Sequence, residues 1–177
     1  MARKKYMGDY RLTERVDTRG RIHKDLEYTG PVYYYALEEN ALNRQRRAVL
    51  MICAVAAAAF IGALIPHSAA SGTFYITLPF VFAALPLGIL TELILSAPKG
   101  GQTLERRQAD RFENRYPAAS VFITALCAVS LAGEGIYALA GGELSGGDAV
   151  FSACAALMGA CGVLLFNKRR SFDTRKA

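Results

Sequence analysis

The sequence predicts an all-α membrane protein, a bundle of four transmembrane helices with a small cytoplasmic N-terminal appendage that is β-hairpin-like. Apolar residues make up 53% of the 177 residues and are concentrated in four blocks rather than in short periodic runs. Each block is about 18–24 residues long, enough to cross a hydrocarbon core near 30 Å. Helices of this length and apolarity have no continuous polar face, which a soluble helix normally keeps.

The distribution of basic residues predicts how the chain crosses the membrane. Of the 21 Lys and Arg residues, eleven lie in residues 1–47, five in the polar island Pro98–Tyr116, and five in the C-terminal tail. The two remaining loops contain none. Because cytoplasmic loops carry the excess of basic residues, both termini and the polar island are expected in the cytoplasm. The chain is therefore expected to be a multi-pass protein of the cell membrane.

The N-terminal segment has two alternating stretches that predict a β-hairpin over residues 10–28. Asp17–Gly20 is the predicted turn between the strands. Tyr33–Tyr35 is an aromatic cluster expected to cover the hairpin or to lie at headgroup level. Residues 36–47 contain no helix breaker and predict a juxtamembrane helix. The first apolar run starts near residue 48, so no cleavable signal peptide is expected.

Prolines and a capping residue set the predicted helix bounds. Pro66 ends the first span, Pro117 starts the third, and Asp148 is the expected N-cap of the fourth. The predicted segments are a first span at 48–65, an outer loop at 66–72, a second span at 73–97, a cytoplasmic loop at 98–116, a third span at 117–140, an outer loop at 141–147, a fourth span at 148–166 and a tail at 167–177.

Small residues at a spacing of four predict where the helices pack, because such ridges let helix backbones approach closely. The first span has one ridge and the fourth span has two. They are Ala54, Ala58 and Gly62; Ser152, Ala156 and Ala160; and Ala155 with Gly159.

Two carboxylates inside the spans are candidates for function, since ionisable residues in a membrane usually mark a pathway or a site. Glu92 is expected near the cytoplasmic edge, and Glu134, flanked by Gly133 and Gly135, near the outer edge. A rise of about 1.5 Å per residue separates them by roughly 18 Å, so they cannot share a proton. Glu92 is expected to pair with a basic residue. Glu134 is either a structural residue of the outer rim or a site for a proton or cation.

The outer rim as a whole, with His67, Glu134, Glu143 and Asp148, is rich in acidic and imidazole groups. The candidate ion or proton residues are Glu134, His67 and Asp148 at this rim, and Glu92 near the cytoplasmic edge. Oxygen-rich surfaces without cations attract cations. These residues come from different segments with no common motif spacing, so no specific metal site is predicted.

Pro79 and Pro86 lie seven residues apart in the second span, on nearly the same face. Each proline removes one backbone hydrogen bond and favours a kink. The kink is either a static bend or a gate.

The sequence offers little for catalysis or for nucleic-acid binding. It contains no G-x-S-x-G or zinc-binding motif, and its two histidines fall on opposite sides of the predicted membrane. The four cysteines lie inside the apolar blocks and are expected to be reduced packing residues. We expect no enzyme activity, no catalytic residues, no cofactor and no nucleic acid. The basic tails are expected to contact anionic lipid headgroups.

Two functions remain open, and no motif indicates a known family. One is a non-enzymatic scaffold or accessory protein of the cytoplasmic membrane, with a protein partner at the N-terminal tail. The other is a small oligomeric transporter or channel that uses Glu134 and the proline-kinked second span. A path through four helices would be cramped, so a homo-oligomer is expected in the second case.

Overall fold

The computed structural model describes residues 7–16, 22–66, 72–97, 104–172 and 174–176. Within these residues the chain is mostly helical, and four helices are long and apolar enough to span a membrane, as the four apolar blocks predict. The predicted turn Asp17–Gly20 and most of the predicted loop 66–72 lie outside the described residues.

Five helices make up the bundle. They are α1 (Glu39–Leu64), α2 (Phe74–Phe82), α3 (Ala84–Leu95), α4 (Arg106–Leu139) and α5 (Gly146–Lys168). The helices α2 and α3 together form one candidate span, and a 3-10 turn at Arg169–Phe172 extends α5.

Helix α1 is longer than the predicted first span. It begins at Glu39 and continues without interruption through Ala48 to Leu64. No proline lies in this stretch, and the polar residues before Ala48 are compatible with a helix. The predicted juxtamembrane helix and the first span are therefore one continuous helix.

Helix α4 begins eleven residues before the predicted start at Pro117. Its N-terminus has a capping box, in which the backbone N–H of Glu105 donates to the side chain of Gln108 at 3.2 Å. Pro117 lies inside the helix, where it removes the hydrogen bond to the Glu113 carbonyl. Because the cap starts the helix at Arg106, the second half of the polar island is helical rather than a loop.

Two small sheets lie beside the helices. The first pairs β1 (Tyr10–Val16) with β2 (Ile22–Tyr28), antiparallel, at the site of the predicted hairpin. The second was not predicted. It has three strands in the order β4–β3–β5, which are β4 (Leu104–Glu105), β3 (Val32–Tyr35) and β5 (Thr174–Lys176).

The three-stranded sheet joins the polar segments of the chain. The central strand β3 comes from the N-terminal segment, β4 from the polar island and β5 from the C-terminal tail. We call the end of the bundle that has this sheet the sheet end, and the opposite end, with the loop Gly141–Ser145, the loop end. All three basic regions of the sequence thus meet at the sheet end.

Helix α4 packs against α5, α2 and α3, and α1 packs against α5 and α3. In the core, the ring of Phe80 stacks on Phe60 at 5.3 Å and contacts Phe151 at 5.0 Å. Helices α4 and α5 approach most closely at Gly162, where a Cβ would lie 2.5 Å from Thr124 Oγ1. Small residues allow such close contacts between helices.

The predicted packing ridges are only partly correct. Ala54 and Ala58 of α1 are exposed, and so are Ala156 and Ala160 of α5. Ala155 is buried, as its ridge predicts, and Gly159 lies close to α4, where an added Cβ would be 3.3 Å from Cys127 Cβ. The other buried small residues are Cys53, Ala56, Ala59 and Ala63 in α1, and Cys161 and Gly162 in α5. Both helices have small residues on all sides, so spacing alone does not identify the packed face.

Candidate functional site

Glu134 is buried in α4 and faces α5. Its side chain is 5% exposed, and Ser152 Oγ donates a hydrogen bond to Glu134 Oε2 at 2.5 Å. Among the described residues, no Lys, Arg or His side chain lies within 4.0 Å of this carboxyl group, so its described polar contact is a hydroxyl. A buried carboxyl group without a cation is costly when ionised, which makes Glu134 unusual in this bundle.

The two glycines beside Glu134 have different roles. A Cβ at Gly133 would lie 3.2 Å from Ile76 Cγ1, so Gly133 lets α2 pack closely on α4. At Gly135 a Cβ would meet nothing within 4 Å. Ser130, one turn earlier, donates to the Ile76 carbonyl at 2.9 Å and holds the same contact. Gly133 is therefore a packing residue.

Asp148 is also buried, at 1% exposure, near the first turn of α5. It is not the N-cap, as the sequence predicted; Ser145 is. The Ser145 backbone N–H and Oγ donate to Asp148 Oδ2 at 2.6 and 2.8 Å, which completes a capping box. The helix starts two residues earlier than predicted because Ser145 takes the cap position and Asp148 folds back onto it. A carboxylate here also interacts favourably with the helix dipole.

Glu134 and Asp148 lie at the same end of the bundle. Ser152, the partner of Glu134, is four residues after Asp148 and so lies one turn away on the same face of α5. One face of α5 therefore has Asp148 and, one turn later, the serine that bonds Glu134, both at the loop end.

Glu92 lies at the other end of the bundle and is exposed. It lines an open groove of about 720 Å³ between α1 and α3, together with small residues such as Ala57 and Gly88. We expected a basic partner for Glu92, but no described Lys or Arg lies within salt-bridge distance of it. Arg46, in the N-terminal part of α1, instead donates to the Leu95 carbonyl at 2.8 Å and caps the last turn of α3.

The four predicted ion-site residues do not form one site. Glu134 and Asp148 are together at the loop end, and Glu92 is at the sheet end. His67 lies outside the described residues. Within the described ranges, no group of three or more His, Cys, Asp and Glu side chains is arranged to hold a metal ion.

The predicted proline kink corresponds to an interruption in the second candidate span. Helix α2 runs through Pro79 and ends at Phe82, and α3 begins at Ala84 with Pro86 in its first turn. Pro86 has no N–H to donate to the Phe82 carbonyl, and this missing hydrogen bond favours the interruption between α2 and α3. Gating at this break stays a prediction.

Tyrosines link the hairpin to the sheet end of the bundle. Tyr10 donates to Glu105 Oε2 at 2.6 Å, and this hydrogen bond, with partial burial, raises the pKa of Tyr10. Tyr28 donates to the Pro31 carbonyl at 2.8 Å and accepts from the Arg106 N–H at 2.9 Å. These contacts connect the N-terminal segment with the start of α4, more than 70 residues away in sequence.

An aromatic cluster fills the space between the sheet and the bundle. Tyr35 of β3 contacts Phe112 edge-on at 6.1 Å, and Phe172 contacts both Phe112 and Tyr116 within 6 Å. Burial raises the pKa of Tyr35 to about 12, although the charge of Arg46 opposes this shift. The Tyr35 hydroxyl has no hydrogen-bond partner among the described residues.

Sequence reasoning missed the partners of the carboxyl groups. Ser152 was assigned to a packing ridge and Ser145 to a flexible loop. One signal was available: Asp148 and Ser152 are four apart and are the polar residues on their helix face. The pairing of Ser152 with Glu134 depends on how α4 and α5 are rotated against each other, which the sequence pattern does not specify.

The fold and these contacts define a class, a bundle with four helical segments long and apolar enough to span a membrane, a small sheet at one end and buried carboxyl groups at the other. No protein-family model, curated protein or solved structure matches the chain.

Proposed function

We propose that the protein is a multi-pass protein of the cytoplasmic membrane that acts as a non-enzymatic scaffold, with the sheet end as its cytoplasmic partner surface. The main support is the three-stranded sheet, which ties the N-terminal segment, the polar island and the C-terminal tail into one folded unit. A chain that needed its polar segments only to set topology would not require this pairing.

The orientation in this proposal is supported by charge. The basic segments meet at the sheet end, and the excess of Lys and Arg in short loops favours the cytoplasmic side. The orientation is tested by labelling single introduced cysteines with an impermeant maleimide in intact cells. Glu143→Cys, at the loop end, is expected to be labelled, and Glu38→Cys, next to β3, to be protected until the cells are opened. The opposite pattern would contradict the orientation.

The hairpin supplies the most accessible part of the partner surface. Leu12 of β1 is 62% exposed although it is apolar. An exposed apolar side chain on a two-stranded sheet suits contact with another protein, since an isolated hairpin is only marginally stable in water.

Site-specific photo-crosslinking in cells tests the scaffold proposal. A photoreactive residue at Leu12 is expected to give a protein adduct of defined mass that Arg11→Asp weakens. Leu144, which is 55% exposed at the loop end, is the matched control and is expected to give no such adduct. Equal adducts from both positions, or none from Leu12, would contradict the proposal.

A second function, a small oligomeric transporter or channel, is favoured by one observation. Glu134 is buried without a cation among the described residues, and intramembrane carboxyl groups commonly bind transported protons or ions. In proteoliposomes, Glu134→Gln would then abolish proton or monovalent-cation flux while preserving the fold, because glutamine can still accept a hydrogen bond from Ser152. Absence of flux in the wild type would remove this alternative.

A further inference from the structure

A second concave surface lies at the sheet end, beside the C-terminal strand. This cleft of about 560 Å³ is lined by Arg170 and Arg175 and by Ser171 and Thr174, which lie between them in the sequence. None of these residues was a candidate site in the sequence, which predicted only that the basic tails as a whole contact anionic lipid headgroups.

The folding of the tail explains why these side chains converge. After α5, the 3-10 turn Arg169–Phe172 extends the helix, and Phe172 at its end is buried in the aromatic cluster, which holds that turn in place. Strand β5 then pairs with β3, with Arg175 opposite Tyr34 and Thr174 opposite Tyr35. The turn and the strand therefore hold the two arginines on the walls of one cleft.

The charges of these two arginines are not neutralised within the described part of the chain. Neither Arg170 nor Arg175 has a carboxylate of the described residues within salt-bridge distance. The neighbouring Arg169 does not line the cleft; its guanidinium lies over the Phe166 ring, 3.9 Å from the ring centre. Guanidinium groups match the geometry of phosphate oxygens and bind them through two parallel hydrogen bonds. Neighbouring hydroxyl groups can add further donors.

The other wall of the cleft combines an apolar and an acidic group. Leu37, just before α1, is an exposed apolar residue at its edge, and Glu113 of α4 contributes a carboxylate. Arg170 follows directly on the last turn of α5, so the cleft lies at the level where the candidate spans end. In the proposed membrane orientation this is the depth of the lipid headgroups.

We propose that this cleft binds a phosphate ester, with Arg170 and Arg175 as the phosphate ligands and Leu37 against the apolar part of the bound molecule. An anionic phospholipid headgroup and a free phosphate ester share this chemistry. The lipid assignment rests on the membrane location proposed above, whereas binding of the phosphate group does not.

The test uses the full-length protein purified in detergent and native mass spectrometry with added lipid. Phosphatidylglycerol and phosphatidylcholine with identical acyl chains are compared. The cleft variant is Arg170→Gln with Arg175→Gln. The control is Arg44→Gln with Arg47→Gln, which removes two exposed arginines of α1 at the same end of the bundle, outside the cleft.

The expected result is preferential binding of phosphatidylglycerol by the wild type and a large loss in the cleft variant. At about 1 kcal/mol per cation near a lipid surface, two arginines correspond to roughly a thirty-fold change in affinity. The control variant is expected to lose much less. Equal losses in the two variants would show attraction by general surface charge, and equal binding of both lipids would show no headgroup recognition; either result overturns the proposal.

A third variant keeps the proposal testable if the double substitution disturbs the fold. Glu113→Gln removes the carboxylate from the cleft and is expected to strengthen phosphatidylglycerol binding about five-fold. A gain in affinity is not produced by misfolding. Unchanged or weaker binding would overturn the assignment of the cleft.

Competition with glycerol phosphate identifies the source of the ligand. Displacement of bound phosphatidylglycerol would show that the cleft takes free phosphate esters, and lack of displacement that it takes the lipid; both results retain the phosphate site. Crosslinking from Leu12 is measured independently, so failure of the cleft and failure of the scaffold proposal are separate outcomes.

Discussion

The two ends of the bundle satisfy their polar groups in different ways. At the sheet end, contacts connect segments that are far apart in sequence, as in the hydrogen bond between Tyr10 and Glu105, 95 residues away. At the loop end, Asp148 caps a helix start three residues before it, and Glu134 contacts the neighbouring helix within a helical hairpin, 18 residues away.

This difference shows how the chain divides its tasks. The sheet end depends on the complete chain, since the sheet needs residues from the N-terminal segment, the polar island and the tail. At the loop end, the two buried carboxyl groups depend on local contacts within α4, α5 and their short connection. Changes at the sheet end should therefore loosen distant segments, whereas changes at these carboxyl groups should act mainly on two helices.

The largest effect is expected for Phe172→Ala, which would break the sheet end. Phe172 is buried against Phe112 and Tyr116, and loss of such a side chain costs about 3–5 kcal/mol. Equilibrium unfolding in mixed micelles should show this loss. Hydrogen exchange should show that the amides of β5 lose protection first. Unchanged protection in β5 would contradict the role of Phe172 in holding the tail.

The next effect is expected at the loop end. Ser152→Ala leaves the buried Glu134 carboxyl without its hydroxyl donor and should destabilise the protein by about 1–3 kcal/mol. The double variant Ser152→Ala with Glu134→Leu should recover most of this loss, because replacing both partners by apolar groups is nearly neutral. Additive losses in the double variant, measured in the same unfolding assay, would show that the two side chains are not coupled.

A smaller, local effect is expected for Tyr10→Phe. This change removes the hydrogen bond to Glu105 and should cost about 1 kcal/mol. Exchange protection should fall in β1 and β2 but not in β3, since the two sheets are separate. Tyr34→Phe, at an exposed tyrosine of β3, is the control. Equal loss of protection in both sheets would show that they unfold as one unit.

The smallest effect at neutral pH is expected for Tyr35→Phe, because the Tyr35 hydroxyl has no described hydrogen-bond partner to lose. The pKa of Tyr35 is raised to about 12, so the folded state favours the neutral form. This contribution to stability is complete below the usual tyrosine pKa near 10 and is lost as the pH rises from about 10 to 12.

Tyrosinate absorbance and unfolding between these pH values provide the check. Tyr35→Phe should remove the component that titrates near pH 12 and reduce the loss of stability over that range. Tyr34→Phe should leave that component in place. Persistence of the component in Tyr35→Phe would assign it to another residue.

Much of the helical fold followed from the sequence because span length and hydropathy act over about twenty residues at a time. The same reasoning could not find the three-stranded sheet. Strand β4 has two residues and β5 has three, too few for an alternating pattern, and their pairing with β3 depends on contacts across the whole chain. The predicted start of α4 was Pro117 because proline is well tolerated at a helix start, and the Glu105–Gln108 cap was not recognised in the sequence.

The candidate site was predictable in its residues but not in its partners. Glu134 stood out because it is a carboxylate in an apolar block, and Asp148 because it precedes one. Their contacts with Ser152 and Ser145 depend on helix rotation and on a cap position three residues before the predicted helix start. The Arg170–Arg175 cleft forms only after β5 pairs with β3, so a linear pattern could not indicate it.

The position of β3 in the chain has a consequence for synthesis. This strand is made early, but its neighbours β4 and β5 are made about 70 and 140 residues later. At a synthesis rate of about 5–20 residues per second, β4 is made several seconds after β3, and β5 is made roughly 7–30 seconds after β3. Both edges of β3 are unpaired until β4 is made, and one edge stays unpaired until β5 is made. An open strand edge is a template for unwanted pairing with other chains. Completion of the sheet therefore marks a nascent chain whose four candidate spans have all been made, and premature termination leaves β3 open to aggregation or to a chaperone.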